Sequence, residues 1–324
     1  MTEPYIIKVS GDPAPSLLIT EGWDDYALID SGGGRKLERF GAYSFIRPEP
    51  QALWCSTLAE NEWARADGVF ASGLETEEEK TGRWHFKTKL PPRWEMGWNN
   101  NEVKFFAAAS PFRHLGVFPE HAPHWAWMRE SIKSRTLRHP ERSEGSHAHP
   151  ILKILNLFGY TGIASLVCAA AGAEVTHVDA SKKIIAWARE NQKVSKLEDK
   201  PIRWIEDDAM KFVQREVRRG AKYDGFIIDP PKFGRGPKGE VWNIHEHLPR
   251  LLTACSALIS SAPLFAVLTC YATRISSVSA HYMLTDMMAG NRGIFESGEM
   301  TLREQSSHRL LPAAVFACWS RDLV

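Results

Sequence analysis

The stretch YDGFIIDPPKFGRGPKGEVW, residues 223–242, runs a short apolar segment into Asp229 and stops on Pro230 and Pro231. Proline cannot donate to a sheet ladder and pushes the residue before it toward extended backbone, so a buried strand ends here on a carboxylate. Such an edge can grip a flipped nucleobase through the carboxylate and the proline carbonyls of Pro231 and its neighbour, with Phe233 stacked against the ring. Lys232, Arg235 and Lys238 would then serve backbone phosphates. The plain alternative is a strand stop followed by a basic surface loop. A second reactive group lies in LTCYATRIS, where Cys270 closes another apolar run. Neighbouring strands lie about 4.8 Å apart, which would set Cys270 beside Asp229. A thiolate there could add to C6 of a pyrimidine and activate C5 toward an electrophile. The equally open alternative is a buried cysteine packing as a small apolar residue.

Three further strand ends carry polar residues. NLFGYTGIAS, residues 156–165, ends a strand near Phe158, turns through Gly159 and Gly162, and opens a helix at about Thr161. Glycine permits close backbone approach and the helix start offers free N–H groups. THVDAS ends the next strand on Asp179, which suits a pair of ribose hydroxyls, with Ser181 just beyond. WIEDDAM ends a third on Asp208 before Ala209, where a carboxylate can accept from an adenine amino group or simply cap the helix. Open α/β sheets bind ligands at the carboxyl ends of their strands. A dinucleotide would call for the full G-x-G-x-x-G motif and a second mononucleotide half, and neither is present. An adenosyl ligand with a short tail lacking phosphate fits better, and S-adenosyl-L-methionine is that ligand. The candidate cofactor set is Asn156, Phe158, Gly159, Thr161, Gly162, Asp179, Ser181, Asp208, Ala209, Asp229 and Pro230; Asp229 and Cys270 are the candidate catalytic residues.

The elements that must position these groups form an alternating pattern from residue 151 to 324. LKILNLF, EVTHVD, IRWIE, YDGFIID and PLFAVLTC read as buried strands, with helices beginning near Ile163, Lys182, Ala209 and His247. That alternation predicts a parallel sheet covered on both faces. GIFESGEMTLRE and LLPAAVFACWSRD read as a closing antiparallel pair. Residues 1–110 differ: short apolar runs broken by Gly, Pro and Asn predict a small β-rich, barrel-like domain. Its six tryptophans would be packing rings, with base stacking open to one or two. Residues 111–150 would connect the two through a helix and a polar loop. In that loop, RHPERSEGS resembles a repetitive bacterial DNA element read through as protein. His139, His147 and His149 lie there without the carboxylate or cysteine framework of a metal site.

The 324 residues allow about two domains, and net charge +1 excludes global attraction to nucleic acid, so RNA would be held by local basic loops. Five cysteines without ligand spacing argue against a disulfide framework. No signal peptide and no apolar run long enough for a bilayer are present, which predicts a cytoplasmic protein without a membrane partner. The oligomeric state is not readable.

Taken in order, IDSGGGRKLERFG, GVFPEHAPHW, NLFGYTG, VDAS, EDDAMKF, DPPKFGRG and LTCYA resemble the RlmI-like branch of class I methyltransferases, the 23S rRNA cytosine-C5 enzymes and their relatives. The resemblance covers about residues 22–320. It implies a Rossmann-like seven-stranded sheet with an antiparallel last strand, S-adenosylmethionine as cofactor and ribosomal RNA as substrate. It maps Asn156, Phe158, Gly159, Asp179, Asp208 and Asp229 onto the cofactor pocket and Cys270 onto the nucleophile. Three departures bear on the substrate: the RNA-binding PUA domain of those enzymes is not seen, Tyr-Ala-Thr follows Cys270, and the histidine-rich insertion precedes NLFGYTG. Relatives on this scaffold methylate guanine, which keeps a purine amino or ring nitrogen open as the target. A small-molecule methyltransferase and a cofactor-binding module without turnover are the remaining alternatives.

Overall fold

A computed structural model describes residues 15–72, 82–110, 113–137, 151–271 and 273–321; His139, His147 and His149 fall outside the described residues. The chain opens on β1 (Ser16–Thr20). A five-stranded sheet follows, made of β2 (Tyr26–Gly32), β3 (Arg35–Phe40), β4 (Tyr43–Pro48), β5 (Gly68–Ser72) and β6 (Gly82–Phe86). The short helix α1 (Glu60–Trp63) lies between β4 and β5. A hairpin of β7 (Trp94–Trp98) and β8 (Val103–Ala107) leads to a 3-10 turn, Pro119–His121, and then to α2 (Ala122–Leu137).

Strands and helices then alternate: β9 (Lys153–Leu157), α3 (Ile163–Ala170), β10 (Glu174–Asp179), α4 (Lys182–Val194), β11 (Ile202–Glu206), α5 (Ala209–Arg218) and β12 (Gly225–Ile228). A small hairpin, β13 (Phe233–Arg235) and β14 (Val241–Asn243), interrupts the series before α6 (Ile244–Ser256), β15 (Phe265–Cys270) and α7 (Ser277–Met287). The long pair β16 (Ile294–Arg303) and β17 (Leu310–Ser320) closes it. The helices start where side chains absorb free N–H groups: Ser181, Asp208, Asn243 and Ser276 each accept from a backbone N–H of the first turn.

The main sheet has eight strands in the order β1-β16-β17-β15-β12-β9-β10-β11. β9 through β12 and β15 run parallel, and β17 inserts antiparallel between β15 and β16, as the alternation predicts. The eighth strand is β1, which pairs parallel to β16 instead of joining the small sheet that follows it in sequence. Its approach depends on Gly298, where a Cβ would lie 1.8 Å from the Ser16 carbonyl oxygen.

Successive residues of β15 feed different cores. Phe265 and Val267 pack on the face covered by α2 and α3, while Ala266, Leu268 and Cys270 pack with residues of α5, α6 and α7 on the other. The β7–β8 hairpin is tied to α4: Phe106 N donates to Asn191 Oδ1 at 2.9 Å and Trp187 Nε1 to the Phe106 carbonyl at 3.1 Å. Trp125 packs against both Trp23 and Trp98, and Trp23 also packs against Phe105. Among the described residues no helix is long and apolar enough to cross a membrane.

Candidate cofactor and substrate site

The turn after β9 is held in an unusual backbone conformation. Phe158 and Tyr160 both adopt left-handed φ values, 57° and 50°, and Gly162 follows at 86°. Non-glycine residues pay strain there, so surrounding contacts must impose the shape. Gly159 N donates to the Val178 carbonyl at 3.0 Å and Tyr160 N to Asp179 Oδ2 at 3.1 Å. From below, His177 fills the space under Gly159, where a Cβ would meet its ring at 2.3 Å. Ser165 Oγ lies 3.0 Å from His177 Nδ1 and accepts from Asn156 Nδ2 at 2.9 Å. Thr161 Oγ1 donates to the Gly116 carbonyl at 2.7 Å, and Gly162 packs on Trp204 and Ala188. Asn156, Gly159, Thr161 and Gly162 therefore build the turn from its buried side.

The turn faces a recess with an empty volume of about 370 Å³ including its open mouth. Asp179 lies at its edge, its Oδ1 accepting from Ser181 N at 2.9 Å while Oδ2 accepts from Tyr160 N. Burial pushes the Asp179 carboxyl above the ordinary range, and these two backbone N–H groups oppose that shift. A carboxylate offers about four lone-pair sites, so two remain for ligand hydroxyls. Opposite are Asp207, Asp208 and Ala209 at the start of α5. Asp208 caps that helix through Lys211 N at 2.9 Å, and its own N–H donates to Asp207 Oδ1 at 2.9 Å. Phe158 and Trp242 supply apolar walls, their rings 4.8 Å apart, and Pro231 joins them. Pro231 thus borders this recess, its carbonyl accepting from Trp242 Nε1 at 2.7 Å. Apolar walls with carboxylates at the turn accept a hydroxylated, aromatic ligand and repel a pyrophosphate. The residues fit an adenosyl group.

Beyond the recess, Asp229 follows directly on β12. The register pairs Ile228 with Leu268, so Asp229 stands across from Thr269, whose hydroxyl donates to Asp229 Oδ1. From the 3-10 turn, His121 brings Nε2 to 3.3 Å from Asp229 Oδ2. Burial works to raise the Asp229 carboxyl, but the charge and contact of His121 and the Thr269 hydroxyl hold it below the ordinary range. Burial likewise works to lower His121, and Asp229, aided by Glu120, holds it above the usual histidine value. Around the pair stand aromatic rings: Phe118 is 5.3 Å from Tyr160 and 6.2 Å from Tyr271, and His114 is 4.7 Å from Phe118. Arg113 lies over Tyr271 at 5.4 Å.

Cys270 is not the neighbour of Asp229 that strand adjacency predicts. Strand pairing matches Asp229 to the residue before it, and alternation turns Cys270 to the opposite face of the sheet, into the core with Leu268 and Ala280. Burial, together with the Asp229 charge, pushes its thiol up to about 12. Lys232 and Phe233 lie on the β13–β14 side: Phe233 is half exposed, with Lys232 Nζ 5.5 Å above its ring. Gly234, Arg235 and Gly236 of that hairpin cover the recess, and a Lys211–Glu240 ion pair joins the hairpin to α5. Thr269, Phe118, Tyr160, Tyr271 and Trp242 were absent from the candidate set, although all five lie in the stretches GVFPEHAPHW, NLFGYTG, LTCYA and YDGFIIDPPKFGRGPKGEVW.

No family model matches the chain. A crystal structure of a SAM-dependent methyltransferase from Agrobacterium tumefaciens is 44% identical to it, with 98% of each chain covered and a TM-score of 0.86. The chain belongs to the SAM-dependent methyltransferases. Two curated relatives carry the name ribosomal RNA large subunit methyltransferase K/L. That of a Shewanella species is 38% identical over 90 residues, 27% of this methyltransferase and 13% of the relative. That of Hahella chejuensis is 27% identical over 189 residues, 58% of this methyltransferase and 23% of the relative. The matched stretch is a minor part of either relative's length. S-adenosyl-L-methionine is the cofactor of the methyltransferase.

Proposed function

We propose that the methyltransferase methylates an amino nitrogen on a base of RNA, with ribosomal RNA as the substrate class and without a covalent enzyme intermediate. The observation that carries this reading is Asp229: an ionised carboxylate at a strand end beside the cofactor recess, its oxygens fixed by Thr269 and His121, next to a wall of aromatic rings. Bound S-adenosylmethionine supplies an electrophilic methyl group on a sulfonium. Asp229 accepts a hydrogen bond from one amino N–H, which orients the nitrogen lone pair and raises its electron density. Phe118, Tyr160 and Tyr271 offer faces on which a base splayed from its stack can rest. The names of the K/L relatives support ribosomal RNA. Lys232, Arg235 and Lys238 on the exposed hairpin are the local cations available for phosphates.

Methylation of cytosine C5 by way of Cys270 needs a thiolate on the Asp229 face. The alternation of β15 and a thiol pushed up to about 12 speak against it. Mass spectrometry of nucleosides from ribosomal RNA of a strain lacking the gene separates the readings. Loss of an amino-methylated base, with Cys270→Ser restoring it, is expected. Loss of 5-methylcytosine that Cys270→Ser cannot restore would overturn the proposal. An unchanged nucleoside profile, alongside cofactor binding in vitro, would point to a small-molecule substrate.

A further inference from the structure

A primary amino group that gains a methyl group becomes cationic and must shed a proton, and the Asp229 carboxylate, held below its ordinary range, is a poor place to leave it. The group beside it is better suited. His121 sits on a 3-10 turn that packs against β1, β16 and α2, with Nε2 3.3 Å from Asp229 Oδ2. Its other ring nitrogen, Nδ1, has no hydrogen-bond partner among the described residues, yet it is not one of the sealed, unpartnered atoms that His124 and His177 contain. The His121 side chain keeps 17% of its surface exposed. The carboxylate holds Nε2–H and so leaves Nδ1 as the nitrogen with a free lone pair, the arrangement in which a carboxylate orients an imidazole for proton uptake.

We propose that His121 is the proton acceptor of the reaction, working as a dyad with Asp229. This rests on an amino nitrogen being the methylated atom. The amino lone pair forms the N–C bond as the C–S bond of the sulfonium breaks, and that electron pair remains on sulfur. One amino N–H stays on Asp229. The proton of the other passes to His121 Nδ1, giving an imidazolium that Asp229 stabilises, and leaves from there to water. The titratable or charged groups around the ring are Asp229 after β12, His124 from α2 and Glu120 on the same turn; β15 contributes only the uncharged Thr269. His124 is itself pushed down to about 3 by burial and by His121, so it stays neutral and does not compete for the proton. The dyad accordingly holds its proton more firmly than an isolated histidine, and the rate should fall as pH drops through a value above the ordinary histidine range.

Three measurements test this. The first is the pH profile of methyl transfer to in vitro transcribed large-subunit ribosomal RNA. His121→Gln should lower kcat by roughly 100-fold or more, abolish the acidic limb, and leave cofactor affinity within about twofold. The second uses Glu120→Gln, which keeps shape and removes a charge that raises His121. It should move the acidic limb to lower pH with an unchanged plateau. A packing role for His121 would predict no such movement. The third is NMR titration of the His121 ring in the cofactor-free protein, expected above the usual histidine value and lowered by Asp229→Asn. An acidic limb that survives His121→Gln, or a His121 titration at or below the usual value, would overturn the dyad. RNA that takes up no methyl group defeats the proposed substrate instead, and the His121 titration then still decides whether the pair exists.

Discussion

Asp179 shows how much one side chain does here. Its carboxylate accepts two backbone N–H groups, one of them from Tyr160, a residue in a left-handed conformation, and keeps lone pairs toward the recess. It therefore shapes the turn and keeps acceptor sites where we propose the ribose binds. Hydrogen bonds to a charged group contribute roughly 1.5–3 kcal/mol, so Asp179→Asn should weaken S-adenosylmethionine binding by roughly 10- to 100-fold. Isothermal titration would measure this, and unaltered affinity would remove Asp179 from the ligand contacts. Asp179, Asp208 and Asp229 were readable as candidate site residues because each ends a strand-like run, where open α/β sheets bind ligands. His121 was readable only as one of three histidines, His114, His121 and His124, that could serve as a general base or simply pack the domain junction. Its partner Asp229 lies far away in sequence, so no local sign told the three apart.

At the scale of elements, the turn after β9 and strand β15 teach opposite lessons. The turn announced itself through two glycines, and the structure explains one of them by a neighbour: His177 occupies the volume a Gly159 side chain would need. Gly159→Ala should overpack the turn at a cost of about 1–3 kcal/mol and weaken cofactor binding with it. The added His177→Ala should return part of both losses, a non-additivity that a double-mutant cycle on thermal stability would measure. Strand β15 hid its orientation. All six of its residues are buried, because a central strand of this sheet is covered on both faces. No polar alternation marks which residue shares a face with Asp229, and a one-residue difference in register exchanges Thr269 for Cys270.

Across the whole molecule, charge and burial combine into an acid sensitivity. His124 and His177 are buried and shifted down to about 3, and half-buried His114 is shifted down as well. An unfolded chain protonates these groups once pH falls below about 6.5 while the folded one does not, so each costs stability on acidification by up to about 1.4 kcal/mol per pH unit. His121 has the opposite sign. Its raised value adds stability below about 6.5, which is lost as pH rises through its folded value. His281 is also shifted down by burial, so four described histidines oppose His121; the melting temperature should fall from pH 6.5 to 5, and His124→Leu should lessen that fall. Equal slopes in the two proteins would refute a buried neutral His124.

The sequence by itself determined the order of strands and helices, the residues at the strand ends and the cofactor they suit. Period, caps and breakers are local properties that a short stretch carries without its neighbours. Only the tertiary structure decided that β1 would complete the main sheet, that Thr269 would stand across from Asp229, and that His121 would reach the same carboxylate. Strand register and packing between elements are set by burial between distant segments, and in a sheet covered on both faces no local pattern records them.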